Sequence, residues 1–217
     1  MKFDIRKVTL FYAVTDRRWT GEKTLAEQVE AALRGGVTMV QLREKTLPES
    51  EILEQAIKLA ALCKRYGVPF LVNDSPELAV KSGADGVHVG QGDLSAEKAR
   101  AIIGAGKILG VTAKTVEQAK AAEQAGADYL GVGAAFSTET KTDTSVISHA
   151  RYREICNAVS IPVVAIGGLN KENLMTLRGS GVSGAALVSA IFSAKDIEAE
   201  CRELLGICRR MTEQENE

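Results

Sequence analysis

The chain has 217 residues, of which 45% are apolar and 25% are charged, and its formal net charge is −1. These values are typical of a soluble globular protein with one domain, and they argue against a nucleic-acid or anionic-membrane surface spread over the whole molecule. Any anion site must therefore be built from local groups.

The cysteines and the termini indicate the compartment. The four cysteines form no C-x-x-C pair, so neither a disulfide framework nor a zinc site is expected. Residues 1–8 carry charges where a signal peptide would be apolar, and no stretch is apolar for the roughly 18 residues that a membrane span needs. We expect a cytoplasmic protein with no membrane segment.

Short apolar runs alternate with helical patterns along the chain. The predicted strands are 11–15, 39–43, 70–73, 86–89, 108–111, 129–134, 163–166 and 185–189. The predicted helices are 24–34, 50–66, 76–82, 96–104, 116–125, 149–159, 171–179 and 196–211. This pattern predicts an α/β protein, a single-domain (β/α)8 TIM barrel over 1–217 with 1–9 and 212–217 as peripheral termini. An open doubly wound sheet is the alternative, disfavoured because no G-x-G-x-x-G motif opens the series.

A glycine recurs where a helix ends and the next strand begins. It opens the segments 36–40, 83–87, 126–130 and 181–185, which precede every second predicted strand. A glycine at this place suits a left-handed helix cap, so similar helix-to-strand junctions are expected two strands apart.

Polar residues at the carboxyl ends of strands are the first candidates for a site, because barrel enzymes place their chemistry there. Gln41, Arg43 and Lys45 alternate with apolar or acidic residues, and a period of two puts them on one face. If that face points inward, two cations and an amide converge at the barrel mouth. The alternative is an outward charged strand end in which Glu44 pairs with a neighbour.

Carboxylates follow two adjacent strands. Asn73 and Asp74 end the third strand and Asp93 follows the fourth. Two such carboxylates suit Mg²⁺, which leaves its other positions to water and substrate phosphate. The alternative is that each aspartate caps the helix that follows it.

Hydroxyls and glycines mark a second anion site. The loop F-S-T-E-T-K-T-D at 136–143 sets Thr138, Thr140 and Lys141 after an apolar strand, although a solvated turn is the alternative. Gly168 follows strand seven and Ser189 follows strand eight, where barrels commonly hold a phosphate. The layout predicts two anions, a diphosphate near the cations and a monophosphate near the hydroxyls.

The chain resembles the thiamine-phosphate synthase family from about residue 12 to residue 191. The motifs that carry the resemblance are Y-A-V-T-D at 12–16, Q-L-R-E-K at 41–45, V-N-D at 72–74, G-V-H-V-G-Q at 86–91, T-E-T-K at 138–141, V-V-A-I-G-G at 163–168 and V-S-A-I at 188–191. The resemblance implies a barrel transferase of thiamine biosynthesis. It joins 4-amino-2-methyl-5-(diphosphooxymethyl)pyrimidine to 4-methyl-5-(2-phosphooxyethyl)thiazole and releases pyrophosphate and thiamine phosphate.

The matching motif positions imply residue roles. The pyrimidine diphosphate would be bound by Gln41, Leu42, Arg43, Glu44, Lys45, Asn73, Thr112 and Lys141, of which Arg43, Lys45, Thr112 and Lys141 would be catalytic. The thiazole phosphate would be bound by Thr138, Glu139, Thr140, Gly168, Val188 and Ser189, and Mg²⁺ by Asp74 and Asp93. Thr112 departs from the family's usual serine, and Ser137 stands where proline is frequent.

The expected mechanism is departure of the diphosphate ahead of attack by the thiazole nitrogen, with cations and Mg²⁺ stabilising the leaving group and no covalent nucleophile. The partners are then small phosphorylated molecules, with neither nucleic acid nor membrane, and a homodimer is left open. Two rivals are a thiazole tautomerase, for which a histidine is expected near the end of strand five, and a non-catalytic thiazole phosphate sensor. His88 and His149 are interpreted as structural.

Overall fold

Eight parallel strands close into a barrel in chain order, as the alternation of apolar runs and helical patterns predicted. The structure, a computed structural model, describes residues 3–137 and 146–213. The last strand returns to the first through the pairing of Phe11 with Ala185, so the sheet is closed and the open doubly wound alternative was wrong. The strands are β1 Phe11–Val14, β2 Met39–Leu42, β3 Phe70–Asn73, β4 Gly86–Val89, β5 Ile108–Ala113, β6 Tyr129–Gly133, β7 Val163–Ile166 and β8 Gly184–Leu187.

The helices begin at the capping residues that the sequence provides. Thr24 and Glu27 form a reciprocal capping box at α2, and a serine, threonine or aspartate side chain accepts the N3 amide at most of the others. The helices are α1 Ile5–Val8, α2 Leu25–Arg34, α3 Glu49–Tyr66, α4 Pro76–Lys81, α5 Ala96–Ile103, α6 Val116–Gln124, α7 His149–Ala158, α8 Ser189–Phe192 and α9 Ile197–Thr212. Among the described residues, none of these helices has the length and apolarity that crossing a membrane requires.

The predicted helix over 171–179 was wrong, because this segment forms only a short 3-10 turn at Leu174–Leu177. Asn170 and Asn173 explain the difference. The Asn170 Oδ1 accepts the Glu172 and Asn173 amides at 3.0 and 3.1 Å, and the Asn173 Oδ1 accepts the Asn170 amide at 2.9 Å. Such local bonds compete with the helical ladder for the same amides.

The hydrophobic core has an inner and an outer part. Alternate strand residues point into the barrel, where Tyr12, Met39 and Tyr129 belong to a buried inner cluster. The outer part lies between the strands and the helices. At the amino ends of the strands, Phe3 and Ile5 of the N-terminal segment pack against the inner cluster. The segment thereby closes the bottom of the barrel, which leaves the carboxyl ends as the open face.

The recurring helix-to-strand junctions are confirmed. The glycine that opens each of the four segments has a φ between +73° and +96°. Two residues later, a side chain binds the first amide of a neighbouring strand: Thr38 Oγ1 accepts Phe11 N at 2.9 Å, and Asp85 Oδ2 accepts Phe70 N at 3.0 Å. Polar residues at these junctions therefore satisfy strand amides at the bottom of the barrel and take no part in the open face.

The four cysteines are free thiols. Burial raises the pKa of Cys63, Cys201 and Cys208 to about 12 and that of Cys156 to about 11. A thiol with so high a pKa carries almost no thiolate at neutral pH, so none of the four has the character of a reactive nucleophile.

Candidate active site

A pocket opens at the carboxyl ends of the strands, where the sequence placed the candidate residues. Its lining includes ten of them: Gln41, Arg43, Lys45, Asn73, Asp74, Asp93, Thr112, Gly168, Val188 and Ser189. These residues lie in the carboxyl-terminal part of six different strands or directly after it, so the closure of the barrel is what brings them together.

The alternation at the end of β2 divides its residues between two sides. Gln41, Arg43 and Lys45 line the pocket, whereas Leu42 is 1% exposed and belongs to the outer core. Glu44 also lies away from the pocket lining, and its Oε2 accepts the Arg17 Nε at 2.7 Å. The inward cations and the outward paired glutamate, which the sequence offers as alternatives, therefore occur together.

Glu44 holds the turn that carries Lys45. Its Oε1 accepts the Thr46 amide at 3.0 Å and the Thr46 hydroxyl at 2.9 Å. Although burial alone would raise the pKa of Glu44, the hydrogen bonds from Arg17 and Thr46 hold that pKa below its ordinary value. A carboxylate with these partners is a supporting group for the loop, and neither Glu44 nor Leu42 belongs to the pocket lining.

Asp74 and Asp93 are not helix caps. The cap of α4 is Ser75, whose Oγ accepts the Leu78 amide at 3.2 Å, and the cap of α5 is Ser95. Asp74 has a φ of +66°, an uncommon conformation for a residue with a Cβ, and its amide donates to the carbonyl of His88 at 2.8 Å. Such strain at the rim of a pocket is typical of functional positions.

The two aspartates interact with each other and with a cation. Burial raises the pKa of Asp74, the Asp93 carboxylate raises it further, and Lys45 opposes both effects. The Asp93 Oδ2 also accepts the Gly90 amide at 2.8 Å. Two converging carboxylates, one of them partly desolvated, make a donor set that fits Mg²⁺, which needs one or two carboxylates from the protein. Within 3–137 and 146–213, no group of three or more acidic, histidine or cysteine side chains makes a larger metal site.

The opposite side of the pocket is a glycine turn between β7 and β8. Gly167 and Gly168 have φ values of +99° and +66°. A Cβ at Gly168 would lie 2.7 Å from the Ser137 carbonyl oxygen and 2.8 Å from that of Phe136. The close approach explains why residue 168 lacks a side chain, and it joins this turn to the segment that follows β6.

The short helix α8 starts beside the glycine turn. The first hydrogen bonds of this helix run from the Ile191 and Phe192 amides to the Val188 carbonyl at 3.1 and 3.0 Å. The Ser189 and Ala190 amides therefore lie at the helix start, ahead of the first amide that donates within the helix. Amides in this position, after strands seven and eight of a barrel, commonly bind phosphate. The remaining predicted residues, Thr138, Glu139, Thr140 and Lys141, lie outside the described residues.

The pocket also contains residues that are not among those predicted from the sequence. Tyr12 and Tyr129 line the floor of the pocket, and Lys114 adds a cation beyond β5. Lys114 lies two residues after Thr112, so the period of two that selected Arg43 and Lys45 could have found it. Tyr12 and Tyr129 had no such signal, because a tyrosine in an apolar strand is usually a core residue.

The two histidines differ in surroundings. His88 lines the pocket, and its Nε2 lies 3.0 Å from the Thr112 hydroxyl oxygen. His149 begins α7, and its Nε2 lies 3.0 Å from the Arg178 carbonyl oxygen. A histidine from strand four thus reaches the end of strand five, which inspection of strand five alone could not show.

Comparison with known proteins identifies the family. A sequence profile described as thiamine monophosphate synthase matches residues 11–191. The chain is 50% identical over 196 residues to the thiamine-phosphate synthase of Ruminiclostridium cellulolyticum, covering 90% of this chain and 93% of that protein. It is 43% identical over 199 residues to the thiamine-phosphate synthase of Clostridium acetobutylicum, covering 92% and 94%.

A similar solved structure has the same function in its description. The thiamine phosphate pyrophosphorylase from Pyrococcus furiosus has a TM-score of 0.88 and 38% identity, with 96% of this chain and 99% of that chain covered. The resemblance inferred from the motifs is confirmed, and with it the enzyme class of the relatives, a transferase. The chain belongs to the thiamine monophosphate synthase family.

Proposed function

We propose that the chain joins the pyrimidine diphosphate to the thiazole phosphate, giving thiamine phosphate and pyrophosphate. The observation that carries the proposal is that the pocket lining combines a group of cations and carboxylates with a separate group of glycines and backbone amides. Arg43, Lys45 and the Asp74–Asp93 pair lie on one side, and the glycine turn with the start of α8 lies on the other. A reaction between a diphosphate and a monophosphate needs two such sides.

The cationic side would hold the diphosphate. Arg43 can bind two phosphate oxygens through its planar guanidinium, and Lys45 and Lys114 add flexible point charges. Lys141, proposed from the family motif, would add another. Because these cations stabilise the departing diphosphate more strongly as its charge develops, they would promote breakage of the C–O bond before the new C–N bond forms.

Mg²⁺, when bound by Asp74 and Asp93, would supply Lewis-acid stabilisation of the leaving diphosphate. The chain's own residues set the position of that diphosphate. Gln41, Asn73 and Thr112 line the pocket beside the cations, so they would orient the pyrimidine and the bond that breaks.

The glycine side would hold the thiazole phosphate. Gly168, Val188 and Ser189 offer backbone amides and a hydroxyl with no formal charge, which suits a monophosphate. Thr138 and Thr140 are proposed from the family motif to complete the set, together with Glu139. Binding the phosphate here would hold the thiazole nitrogen ready for attack.

The two rival functions differ in what they require. A tautomerase needs a proton-transfer group near the end of strand five, and His88 is nearby, but both of its ring nitrogens have hydrogen-bond partners. A monophosphate sensor needs neither the carboxylate pair nor the cations beside it. The family relatives and these two features favour the synthase.

Chromatographic detection of thiamine phosphate and pyrophosphate from the two phosphorylated precursors, with and without Mg²⁺, tests the proposal. The Asp74→Asn/Asp93→Asn variant should lose the product. Asp196→Asn is the control for loss of an aspartate charge outside the pocket, because it makes the same type of substitution at one position and leaves a good cap at α9. Wild-type protein that binds thiazole phosphate yet forms no product would support the tautomerase or the sensor instead.

The proposal extends to partners and location. The partners are the two small phosphorylated substrates, in the cytoplasm, with neither nucleic acid nor membrane, and the oligomeric state, monomer or homodimer, is left open. A formal net charge of −1 is consistent with a protein that does not bind nucleic acid or an anionic membrane through its overall charge. Sedimentation of the purified protein at micromolar concentration distinguishes a monomer from a homodimer.

A further inference from the structure

A chain of hydrogen bonds crosses the barrel interior from β2 to β5. Gln41 Nε2 donates to the Tyr12 hydroxyl at 2.5 Å, and the hydroxyls of Tyr12 and Tyr129 lie 3.0 Å apart. The Tyr129 hydroxyl lies 2.9 Å from His88 Nδ1, and His88 Nε2 lies 3.0 Å from the Thr112 hydroxyl oxygen. These hydrogen bonds therefore connect Gln41 and Thr112, both in the candidate active site, through three side chains inside the barrel.

Both phenols are neutral and deeply buried. Tyr12 is 2% exposed and Tyr129 is fully buried, and burial raises the pKa of each well above its ordinary value. Each hydroxyl therefore keeps one proton, and a buried proton without an acceptor is costly. Which group donates and which accepts in each hydrogen bond follows from the acceptors that these protons can reach.

The amide nitrogen of Gln41 can only donate, so the Tyr12 hydroxyl accepts there and gives its own proton to Tyr129. Tyr129 then donates to His88 Nδ1. A neutral imidazole that accepts at Nδ1 carries its proton on Nε2, which donates to Thr112. The opposite direction would leave the Tyr12 proton without an acceptor among the hydrogen bonds of the described residues.

We propose that Tyr129 is a positioning residue that holds His88 in its Nε2–H tautomer, so that the Thr112 hydroxyl accepts from His88 and directs its own proton into the pocket. A hydroxyl that already accepts a hydrogen bond is the stronger donor, because hydrogen bonds in a chain polarise one another. Thr112 is then a hydrogen-bond donor to a ligand oxygen.

The strands make room for the two rings. A Cβ at Gly110 of β5 would lie 2.3 Å from Tyr129 Cζ and 2.5 Å from His88 Nδ1. A Cβ at Gly131 of β6 would lie 2.9 Å from His88 Cε1. Glycine at both positions thus permits the ring contact, with the His88 and Tyr129 centroids 5.6 Å apart. At Gly131 the group that approaches the backbone is therefore the His88 imidazole.

The consequence for the reaction rests on the proposed function. Thr112 lines the same pocket as Arg43 and Lys45, where the diphosphate would leave. A hydroxyl proton fixed toward that region can bond to the departing oxygen as its charge develops, without reorienting during the reaction. A freely rotating hydroxyl would instead divide its proton between the ligand and His88.

The tautomer can be measured without substrate. The chain has only two histidines, so two-bond ¹H–¹⁵N correlations of ¹⁵N-histidine-labelled protein give two ring patterns, and a His149→Gln variant assigns them. Wild-type His88 should show the Nε2–H tautomer, and Tyr129→Phe should convert at least about a third of it to the Nδ1–H form, because tautomers of similar energy mix once the directing bond is lost. An Nδ1–H tautomer in the wild type, or an unchanged tautomer in Tyr129→Phe, would overturn the proposal.

The coupling reaction provides the second readout. Thr112→Val should lower kcat about 100-fold, and Tyr129→Phe about tenfold with little change in KM. The double variant should be no slower than Thr112→Val, because Tyr129 acts through Thr112. Thr112→Ser should keep most of the rate, since it retains the donor.

Tyr152→Phe is the matched control for Tyr129→Phe. Tyr152 is also fully buried and its hydroxyl donates to the Val132 carbonyl at 2.8 Å, but it has no contact with the chain of hydrogen bonds. It should leave the tautomer and kcat unchanged. Additive losses in the double variant, or an equal loss in Tyr152→Phe, would overturn the positioning role. The Nε2–H tautomer in a protein that forms no thiamine phosphate would instead contradict the proposed function and leave the tautomer assignment standing.

Discussion

The Lys45 ammonium donates a hydrogen bond to the Asp74 carboxylate, joining the ends of β2 and β3 at the pocket rim. The two side chains are 51% and 27% exposed. An exposed pair of this kind stabilises a fold by less than about 1 kcal/mol, so its main effect is on local charge. Lys45 and Asp74 are therefore each other's counter-ion in this structure, and binding of the proposed metal and diphosphate would replace that contact.

Lys45→Gln tests the cation in this pair. We expect KM for the pyrimidine diphosphate to rise about tenfold, since one charge-assisted phosphate contact is lost, while the free energy of unfolding changes by less than about 0.5 kcal/mol. Steady-state kinetics and urea unfolding measure the two quantities. Lys58→Gln is the control. The Lys58 ammonium lies 2.6 Å from the Glu54 carboxylate in an exposed pair, and neither residue lines the pocket. Equal KM values for both variants would contradict the assignment.

Asp74→Asn tests the carboxylate with little backbone disturbance. Asparagine tolerates the left-handed conformation that Asp74 adopts at a φ of +66°, so folding should be preserved. The Mg²⁺ concentration for half-maximal rate should rise at least about tenfold, because a carboxylate ligand is lost. Titration of the initial rate with Mg²⁺ gives this value. Asp74→Ala should show the same metal effect plus about 1 kcal/mol of backbone strain in thermal unfolding. If Asp74→Asn requires the same Mg²⁺ concentration as the wild type, Asp74 is not a ligand of the metal.

Gly168→Ala tests the glycine side of the pocket. An added Cβ would meet two carbonyl oxygens at 2.7 and 2.8 Å, so the turn must move, and KM for the thiazole phosphate should rise about tenfold. Gly179→Ala is a matched control. Gly179 also has a positive φ, of +75°, but a Cβ there meets nothing within 4 Å.

Both alanine variants should lose about 1 kcal/mol of stability from the left-handed backbone, and Gly168→Ala should lose more. Only Gly168→Ala should change substrate binding, which isothermal titration with thiazole phosphate measures. If the two variants bind the phosphate equally well, the turn at Gly168 is a structural feature alone.

Glu44→Gln tests the supporting ion pair through its pH dependence. The pKa of Glu44 is lowered in the folded protein from 4.5, so its contribution to stability is complete above about pH 4.5 and is lost as the pH falls through the lower folded pKa. At pH 7 the variant should be less stable by about 1 kcal/mol, because the carboxylate loses its charge-assisted hydrogen bonds with a partner, Arg17, that is partly exposed to solvent. Urea unfolding should show this gap shrinking toward pH 3.

Glu54→Gln controls for the loss of one glutamate charge. Its carboxylate is an exposed partner of Lys58, so the variant should unfold nearly as the wild type does at each pH. A stability gap in Glu44→Gln that stays constant between pH 7 and pH 3 would mean that packing of the side chain, and not its charge, accounts for the loss.

Most of the fold could be predicted from the sequence because its signals are local. Apolar runs of about four residues, capping residues and glycine junctions each act within a few positions of the chain. The failure at 171–179 has the same local origin, since the apolar pattern there is helical but Asn170 and Asn173 engage the backbone amides that a helix would need. Helix α8 was missed because a four-residue helix has too few turns to show a period.

The site was predicted less completely. Strand-end positions selected Arg43, Lys45 and Asp74 correctly as lining residues, since the carboxyl ends of barrel strands meet at one face. Whether each aspartate caps a helix or faces the pocket, however, depended on which neighbouring residue reaches the helix amides. Ser75 and Ser95 do so, which left both aspartates available to each other.

By itself, the sequence determined the order of the strands, the positions of their ends and the family, because motifs and periodicity are properties of neighbouring residues. Only the tertiary structure decided which side chains meet. The contact of Tyr129 with His88 spans 41 residues, and that of Glu44 with Arg17 spans 27. Such partners are set by barrel closure and strand register, and a register shift of one residue would turn each of them to the other face of the sheet.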